Sequence, residues 1–287
     1  MMECTQWKYN YFLTLTYDDS HVPIRSGLNL ETGEWQEELS VNKPDVQLFM
    51  KKLRRYFEHH YDEQNIRYYC AAEYGDQTER PHYHICLFNC NIRNLEEYPK
   101  KNDLGDQYYT SKIIENIWGK GNVIIGELTS QSAGYTARYV MKKWKGKNGA
   151  DKWAEEHIKD REFSLMSRKP GIGAEYFEQH KEKMLRDGFI LVPALEGAYR
   201  ATTPKSFIYK NLNPGLTAKD DKMRVTEEED RHNRELRHNL KKKNEAFSQA
   251  IIKTKLATTS LDYESIITME NEVFEEKILA LRQKGMN

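Results

Sequence analysis

One nine-residue stretch, Arg80-Pro-His-Tyr-His-Ile-Cys-Leu-Phe88, constrains this chain more than any other. Its residues alternate in character, and alternation with period two marks a β-strand whose two faces differ. Tyr83, Ile85 and Leu87 share one face, suited to a core, while His82, His84 and Cys86 share the other. The chain must therefore build a sheet with one buried face and one face carrying two imidazoles side by side. Such a pair is half of a divalent-metal site. Alone, it reads equally well as two hydrogen-bonded strand histidines, and a third ligand is what separates the two readings.

Glu73 is a candidate for that ligand. Ile66-Arg-Tyr-Tyr-Cys-Ala-Ala-Glu73 reads as a second strand, and the polar Tyr74-Gly-Asp-Gln-Thr-Glu-Arg-Pro81 after it carries turn chemistry. Closed as a hairpin of the simplest register, this segment sets Glu73 opposite His82 and Ala71 opposite His84. Directly opposed residues share a face about 5 Å apart. Two His and one Glu then converge, and the small Ala leaves room for an ion. A one-residue slip would turn Glu73 to the wrong face.

The 44 Lys and Arg balance 44 Asp and Glu, so no global basic field marks the chain as a nucleic-acid binder. The balance is uneven along the sequence: from Thr129 to Lys169, ten basic residues stand against five acidic ones. Cys4, Cys70, Cys86 and Cys90 follow no metal-binding spacing and read as reduced cytosolic thiols. The opening Met-Met-Glu-Cys-Thr-Gln is too polar for a signal peptide, and no apolar run approaches a membrane span. No membrane partner is expected.

Tyr9–Tyr17 alternates Leu or aromatic residues with Thr and predicts a strand, followed by a polar loop from Asp18 to about Lys43. Pro44-Asp45 opens a helix in which Val46, Phe49, Met50, Leu53, Tyr56 and Phe57 recur at helical spacing. Tyr109–Trp118 reads as a helix ended by Gly119 and Gly121, and Asn122–Leu128 as a strand. Thr129 or Ser130 caps a further helix running to about Trp144. A short helix near Glu175–Arg186 and strands near Gly188–Val192 and Ser206–Tyr209 complete a globular part, residues 1–212. Strands and helices mix without a regular βαβ period, which predicts an α+β fold on an antiparallel sheet. Residues 213–287 differ: Leu216–Asn287 holds fourteen basic and fourteen acidic residues, no Pro and one Gly. Self-paired charges and short apolar stripes predict a helical extension, an appendage or a means of self-association.

A second constellation lies on the helix Gln131–Trp144. Tyr135 and Tyr139 stand four apart and so share a face. On a helical wheel Ala133, Ala137, Val140, Met141 and Trp144 gather on one side, and the two tyrosines fall opposite with Arg138, Lys142 and Lys143. Core tyrosines would sit in the apolar stripe. These are interleaved with cations, which favour a phenolate and attract a polyanion.

Together the two constellations suggest one chemistry. Mg2+ or Mn2+ held by Glu73, His82 and His84 would polarise a phosphodiester, a tyrosine oxygen would attack phosphorus, and a DNA hydroxyl would leave. One phosphodiester replaces another, so no ATP is needed, in keeping with the lack of a P-loop pattern. Two other readings remain at this level. Two His and a carboxylate also serve non-haem iron enzymes, though nothing here supports a cosubstrate pocket. A non-catalytic single-stranded nucleic-acid-binding module would suit the Tyr-rich strands but not two ligating His on that face.

His-hydrophobic-His on a strand, an upstream Glu and Tyr-x3-Tyr-x2-Lys on a downstream helix resemble the HUH endonucleases that initiate rolling-circle replication. More narrowly, Phe12-Leu-Thr-Leu-Thr-Tyr-Asp-Asp19, Arg80-Pro-His-Tyr-His84, Tyr135-Thr-Ala-Arg-Tyr-Val-Met-Lys-Lys143 and Met166-Ser-Arg-Lys-Pro-Gly-Ile-Gly173 resemble the replication initiators of gokushovirus-type microviruses. The resemblance spans about residues 9–212. It implies a five-stranded antiparallel sheet with helices on one face and the active site on the other. It implies Glu73, His82 and His84 as metal ligands, Tyr135 and Tyr139 as alternating nucleophiles, and Lys142 beside the scissile phosphate. Arg138, Lys143, Arg168 and Lys169 would meet DNA. The partner implied is the single-stranded replication origin, with a host helicase and polymerase, in the cytoplasm of a bacterial host. Two departures stand out. Tyr83 is bulkier than the usual aliphatic between the histidines, and Arg138 replaces a common Lys, keeping charge but changing geometry.

Overall fold

The computed structural model describes residues 1–29, 33–75, 77–101, 105–142, 153, 157–193, 198–202, 235, 238, 239 and 242, with the backbone alone for 138–142, 192, 193 and 198–202. The chain divides into two compact units, Met1–Gln179 with Val192–Tyr199, and His180–Leu191 with Arg200–Asn287. The first holds the main sheet. The boundary expected at 212/213, the strand expected at Ser206–Tyr209 and nearly all of the charged extension lie outside the described residues.

The sheet is antiparallel and has seven strands: β1 (Asn10–Thr16), β4 (Arg67–Tyr74), β5 (Pro81–Phe88), β6 (Glu96–Lys101), β7 (Gln107–Thr110), β8 (Val123–Glu127) and β9 (Ser164–Met166). Their order is β6-β7-β8-β1-β5-β4-β9. Two further strands, β2 (Ile24–Leu28) and β3 (Trp35–Leu39), pair as a separate hairpin, as do β10 (Phe189–Pro193) and β11 (Ala198–Thr202). The α-helices among the described residues are α1 (Lys43–Tyr61), α2 (Lys112–Trp118), α3 (Ser130–Lys142) and α4 (Ala174–Asp187).

The expected count of five strands is thus too low, for physical reasons. β6 is Glu-Glu-Tyr-Pro-Lys-Lys, an exposed edge with no apolar face, where Pro is tolerated because one side of the ladder is open. β9 has only three residues. The helix expected over Tyr109–Trp118 begins only at Lys112, because Tyr109 and Thr110 extend the sheet and Ser111 takes the N-cap position. The polar loop expected over 18–43 contains the β2–β3 hairpin.

One face of the sheet is the core. Leu13 and Leu15 of β1, Cys70 and Ala72 of β4, Tyr83, Ile85 and Leu87 of β5, and Val123 and Ile125 of β8 form one buried cluster with α1 and α2. α1 contributes Val46, Phe49, Met50, Leu53 and Phe57, the stripe read from its spacing, and α2 contributes Ile114, Ile117 and Trp118. α1 starts with Pro44 and Asp45 in its first turn and stops at Asp62, whose φ of 53° ends the helical path. The bulk of Tyr83 is used here. Fully buried, its hydroxyl accepts the Asn42 N–H at 2.7 Å and pairs with the Tyr17 hydroxyl at 2.8 Å, tying β5 to the start of α1.

The other face is not bare. A second cluster of Cys86, Phe88 and Leu128, with Phe12, Tyr69, Ala133, Ile172, Cys4 and Trp7 against it, carries α3 on the same side as His82 and His84. The expectation of helices on one face and the site on the other therefore holds for α1 and α2 but not for α3, which brings its tyrosine to the site.

Candidate metal centre and its tyrosine helix

β4 and β5 pair with Glu73 opposite His82 and Ala71 opposite His84, the register that the simplest hairpin requires. β1 lies on the far side of β5, with Thr14 opposite His84 and Thr16 opposite His82. The three ligand-type atoms of Glu73, His82 and His84 all lie within 4.8 Å of one another. His82 Nε2 and His84 Nε2 each stand 2.7 Å from Glu73 Oε1.

Each imidazole is oriented from behind. His82 Nδ1 donates to the Arg80 carbonyl at 3.1 Å. His84 Nδ1 is 3.1 Å from Thr14 Oγ1, and its ring stacks on Phe12 at 5.2 Å and 14°. The Arg80 carbonyl can only accept, so Nδ1 of His82 carries the proton and, in the neutral ring, Nε2 presents a lone pair. A lone pair 2.7 Å from a carboxylate oxygen is repulsive unless a cation, proton or metal, lies between them. Glu73 Oε2 is buried and lacks a hydrogen-bond partner among the described residues. Two Nε2 lone pairs, a shared carboxylate and an orphaned carboxylate oxygen fit a divalent cation.

The electrostatics agree. Burial opposes ionisation of Glu73, but the hydrogen bonds and charges of His82 and His84 outweigh it and hold the carboxyl down at about 2. Burial also opposes the imidazolium of His82, yet the Glu73 hydrogen bond and charge overcome it and the pKa rises. At His84 burial prevails over Glu73, with His82 adding to it, and the pKa falls. The set is an anionic carboxylate with one imidazole held neutral.

Tyr135 reaches this centre from α3. Its hydroxyl donates to Glu73 Oε1 at 3.3 Å, and its ring meets His84 edge-to-face at 5.2 Å and 87°. The side chains of Tyr139, Arg138 and Lys142 lie outside the described set, as does Lys143 altogether. The wheel expected Ala137 on the buried stripe. Instead Ala137 is exposed and Thr136 is fully buried, its hydroxyl donating to the Ser132 carbonyl at 3.0 Å. That internal bond lets a polar residue face the sheet, and it shifts the helix so that Tyr135 flanks the contact.

Arg168 and Lys169 are exposed on the turn that follows β9. Cys86 shares the face of the histidines but is structural: burial pushes its thiol up to about 11, only partly offset by a hydrogen bond with Thr136. All four cysteines are free thiols. Sequence reasoning misses Phe12 and Thr14 as site residues. Their signal is present in the Phe-x-Thr alternation of β1, but it becomes readable only once β1 is known to pair with β5. Among the described residues, no helix is long and apolar enough to cross a membrane.

Fold and site thus define an antiparallel α+β protein with a candidate metal centre beside a tyrosine-bearing helix. Residues 10–144, which run from β1 past the end of α3, match the family of replication-associated proteins typified by ORF2. The chain is 35% identical over 205 residues to replication-associated protein ORF2 of Spiroplasma virus 4, covering 70% of this chain and 57% of that one. It is 33% identical over 194 residues to replication-associated protein VP4 of Bdellovibrio phage phiMH2K, covering 67% and 55% respectively. Replication-associated protein ORF4 of Chlamydia phage 1 shares 28% over 222 residues, 76% of this chain and 49% of the relative. The chain spans little more than half the length of the first two relatives. No solved structure matches it. The segment 10–144 belongs to the replication-associated protein family, and the chain is a replication-associated protein of the microvirus type.

Proposed function

We propose that the protein nicks and rejoins single-stranded DNA at a specific site by transesterification, and so initiates rolling-circle replication of a small single-stranded DNA phage. The observation that carries this reading is Tyr135, a candidate nucleophile whose hydroxyl lies 3.3 Å from Glu73 within a Glu/His/His set fit for a divalent ion. Glu73, His82 and His84 would hold Mg2+ or Mn2+, which supplies Lewis-acid polarisation of a non-bridging phosphate oxygen. His-rich ligation suits Mn2+ at least as well as Mg2+.

The chain's own residues carry the exchange. The Tyr135 oxygen bonds to phosphorus while its proton departs. The bond from phosphorus to the 3′ oxygen breaks, and that oxygen leaves as a hydroxyl after taking up a proton. The products are a 5′-phosphotyrosine and a free 3′-hydroxyl able to prime synthesis. Bond count is conserved, so the reverse attack by a 3′-hydroxyl rejoins the strand. Tyr139, one turn along α3, serves as the second nucleophile. Lys142 neutralises charge at the phosphate, and Arg138, Lys143, Arg168 and Lys169 hold the strand. This chemistry is assigned to residues 1–212, with 213–287 left for self-association.

The test is covalent capture. With Mn2+ and single-stranded oligonucleotides tiling a phage origin, the protein should shift on a denaturing gel. Tyr135→Phe combined with Tyr139→Phe should abolish the shift. A shift that persists in the double variant refutes the nucleophile assignment, and binding without any shift favours a non-catalytic single-strand-binding module.

A further inference from the structure

A buried ion pair occupies the site face at the opposite end of β4 from Glu73. Arg67 Nε donates to Glu3 Oε1 at 2.6 Å, and both side chains are almost wholly buried. Arg67 and Glu73 are six residues apart on one face of β4, about 20 Å at the usual rise per strand residue. Buried charge pairs are costly and rarely the cheapest route to stability, so what this one holds matters.

It holds the turn Ser167–Gly173. Arg67 Nη2 donates to the carbonyls of Pro170 at 2.8 Å and Gly171 at 3.0 Å. The Gly173 N–H donates to Glu3 Oε2 at 2.6 Å, and Gly173 has a φ of 75°, a conformation that favours glycine. Trp7 Nε1 donates to Glu3 Oε1 at 2.9 Å. On β4 itself, Tyr68 and Ser167 are joined by Tyr68 N to Ser167 Oγ at 3.1 Å and Ser167 N to Tyr68 O at 2.9 Å. Ile172 packs in the same apolar cluster as Ala133 of α3. The pair is internally neutral, and two of the turn's carbonyl dipoles are engaged from beneath. What the turn offers outward is the cations of Arg168 and Lys169, both exposed. A fixed basic turn on the face of the metal centre is suited to a phosphodiester backbone.

We propose that Glu3 and Arg67 are positioning residues that set the Ser167–Gly173 turn as a grip for the backbone of the single strand, at a distance from the phosphate to be cut. The proposal rests on the reading of the ligand as single-stranded DNA, but not on the nicking chemistry. It differs from a plain structural staple in one respect: Glu3 acts on DNA only through Arg168 and Lys169.

The experiment measures binding of the full chain to a fluorescent single-stranded dT30, without metal, over a range of salt. The variants are Glu3→Gln, Arg168→Ala with Lys169→Ala, and all three changes together. Because Glu3→Gln could unfold the chain, Arg67→Lys is added; it keeps the charge facing Glu3 but gives up the paired carbonyl contacts. Each variant should bind about tenfold more weakly, and the salt slope should flatten by ~1.4 for two lost phosphate contacts. The triple variant should bind no more weakly than Arg168→Ala with Lys169→Ala, the signature of one coupled unit. Mn2+ affinity should be unchanged throughout. Wild-type affinity in a folded Arg67→Lys or Glu3→Gln variant overturns the proposal, as do losses that multiply in the triple variant. If the wild-type protein itself fails to bind dT30, the single-strand reading fails along with the grip. If it binds and only the variants are silent, the grip alone fails.

Discussion

At the scale of single residues, the site is a chain of orientations that starts behind the ligands. Thr14 and Phe12 fix the ring of His84, and the Arg80 carbonyl fixes that of His82. Partners of this kind set ligand geometry, and their loss typically costs metal affinity about ten- to a hundredfold. Thr14→Val, near in size but without the hydroxyl, should weaken Mn2+ binding by about tenfold or more, read by electron paramagnetic resonance. Unchanged binding would mean that Phe12 alone holds the ring. Tyr83 sits between the same two histidines but points into the core. Tyr83→Phe should cost about 1–3 kcal/mol in chemical denaturation, because it strands the Asn42 N–H and the Tyr17 hydroxyl, and should leave Mn2+ affinity alone. These ligands and the inward Tyr83 are legible in the sequence because strand alternation is local and the Glu73 register follows from a short loop. Glu3 is not. It meets Arg67 across 64 positions, and nothing local to a polar N-terminal segment announces a buried carboxylate.

At the scale of elements, strongly patterned segments form as their sequences predict and weakly patterned ones do not. α1 forms on its apolar stripe. β2 and β3 escape because their sequences are polar on both faces and the hairpin is anchored by charge: Glu38 accepts the Ile158 N–H at 2.6 Å and the Lys159 N–H at 3.2 Å, and Arg25 pairs with Asp160. On α3 the wheel counts Thr136 as polar and outward, whereas its bond to the Ser132 carbonyl lets it bury. The link from α2 into β8 passes through Gly121, whose φ is 146° and where a Cβ would collide with the Thr16 carbonyl and the Asp18 N–H. Gly121→Ala should therefore cost about 2–3 kcal/mol in urea denaturation, combining strained backbone with overpacking. Gly33→Ala, also at positive φ but with open space around it, should cost about 1 kcal/mol. Equal costs would show that the β1–α2 junction gives way.

At the scale of the whole molecule, the sheet separates two tasks. The face under α1 and α2 supplies the large buried cluster. The opposite face carries the ligand set, α3 with Tyr135, and the turn held by Glu3 and Arg67. The family match over residues 10–144 covers β1, β4, β5 and α3, the elements that assemble ligands and tyrosine together. The central claim is that this assembly transfers a DNA strand to tyrosine, and mass spectrometry of the reacted protein tests it most directly. After incubation with Mn2+ and a single-stranded origin oligonucleotide, then nuclease and trypsin, the α3 peptide should carry a nucleotide through a phosphodiester on Tyr135 or Tyr139. His84→Ala protein should yield none. Cleaved DNA with no adduct on either tyrosine, or an adduct on a residue outside α3, would contradict the account.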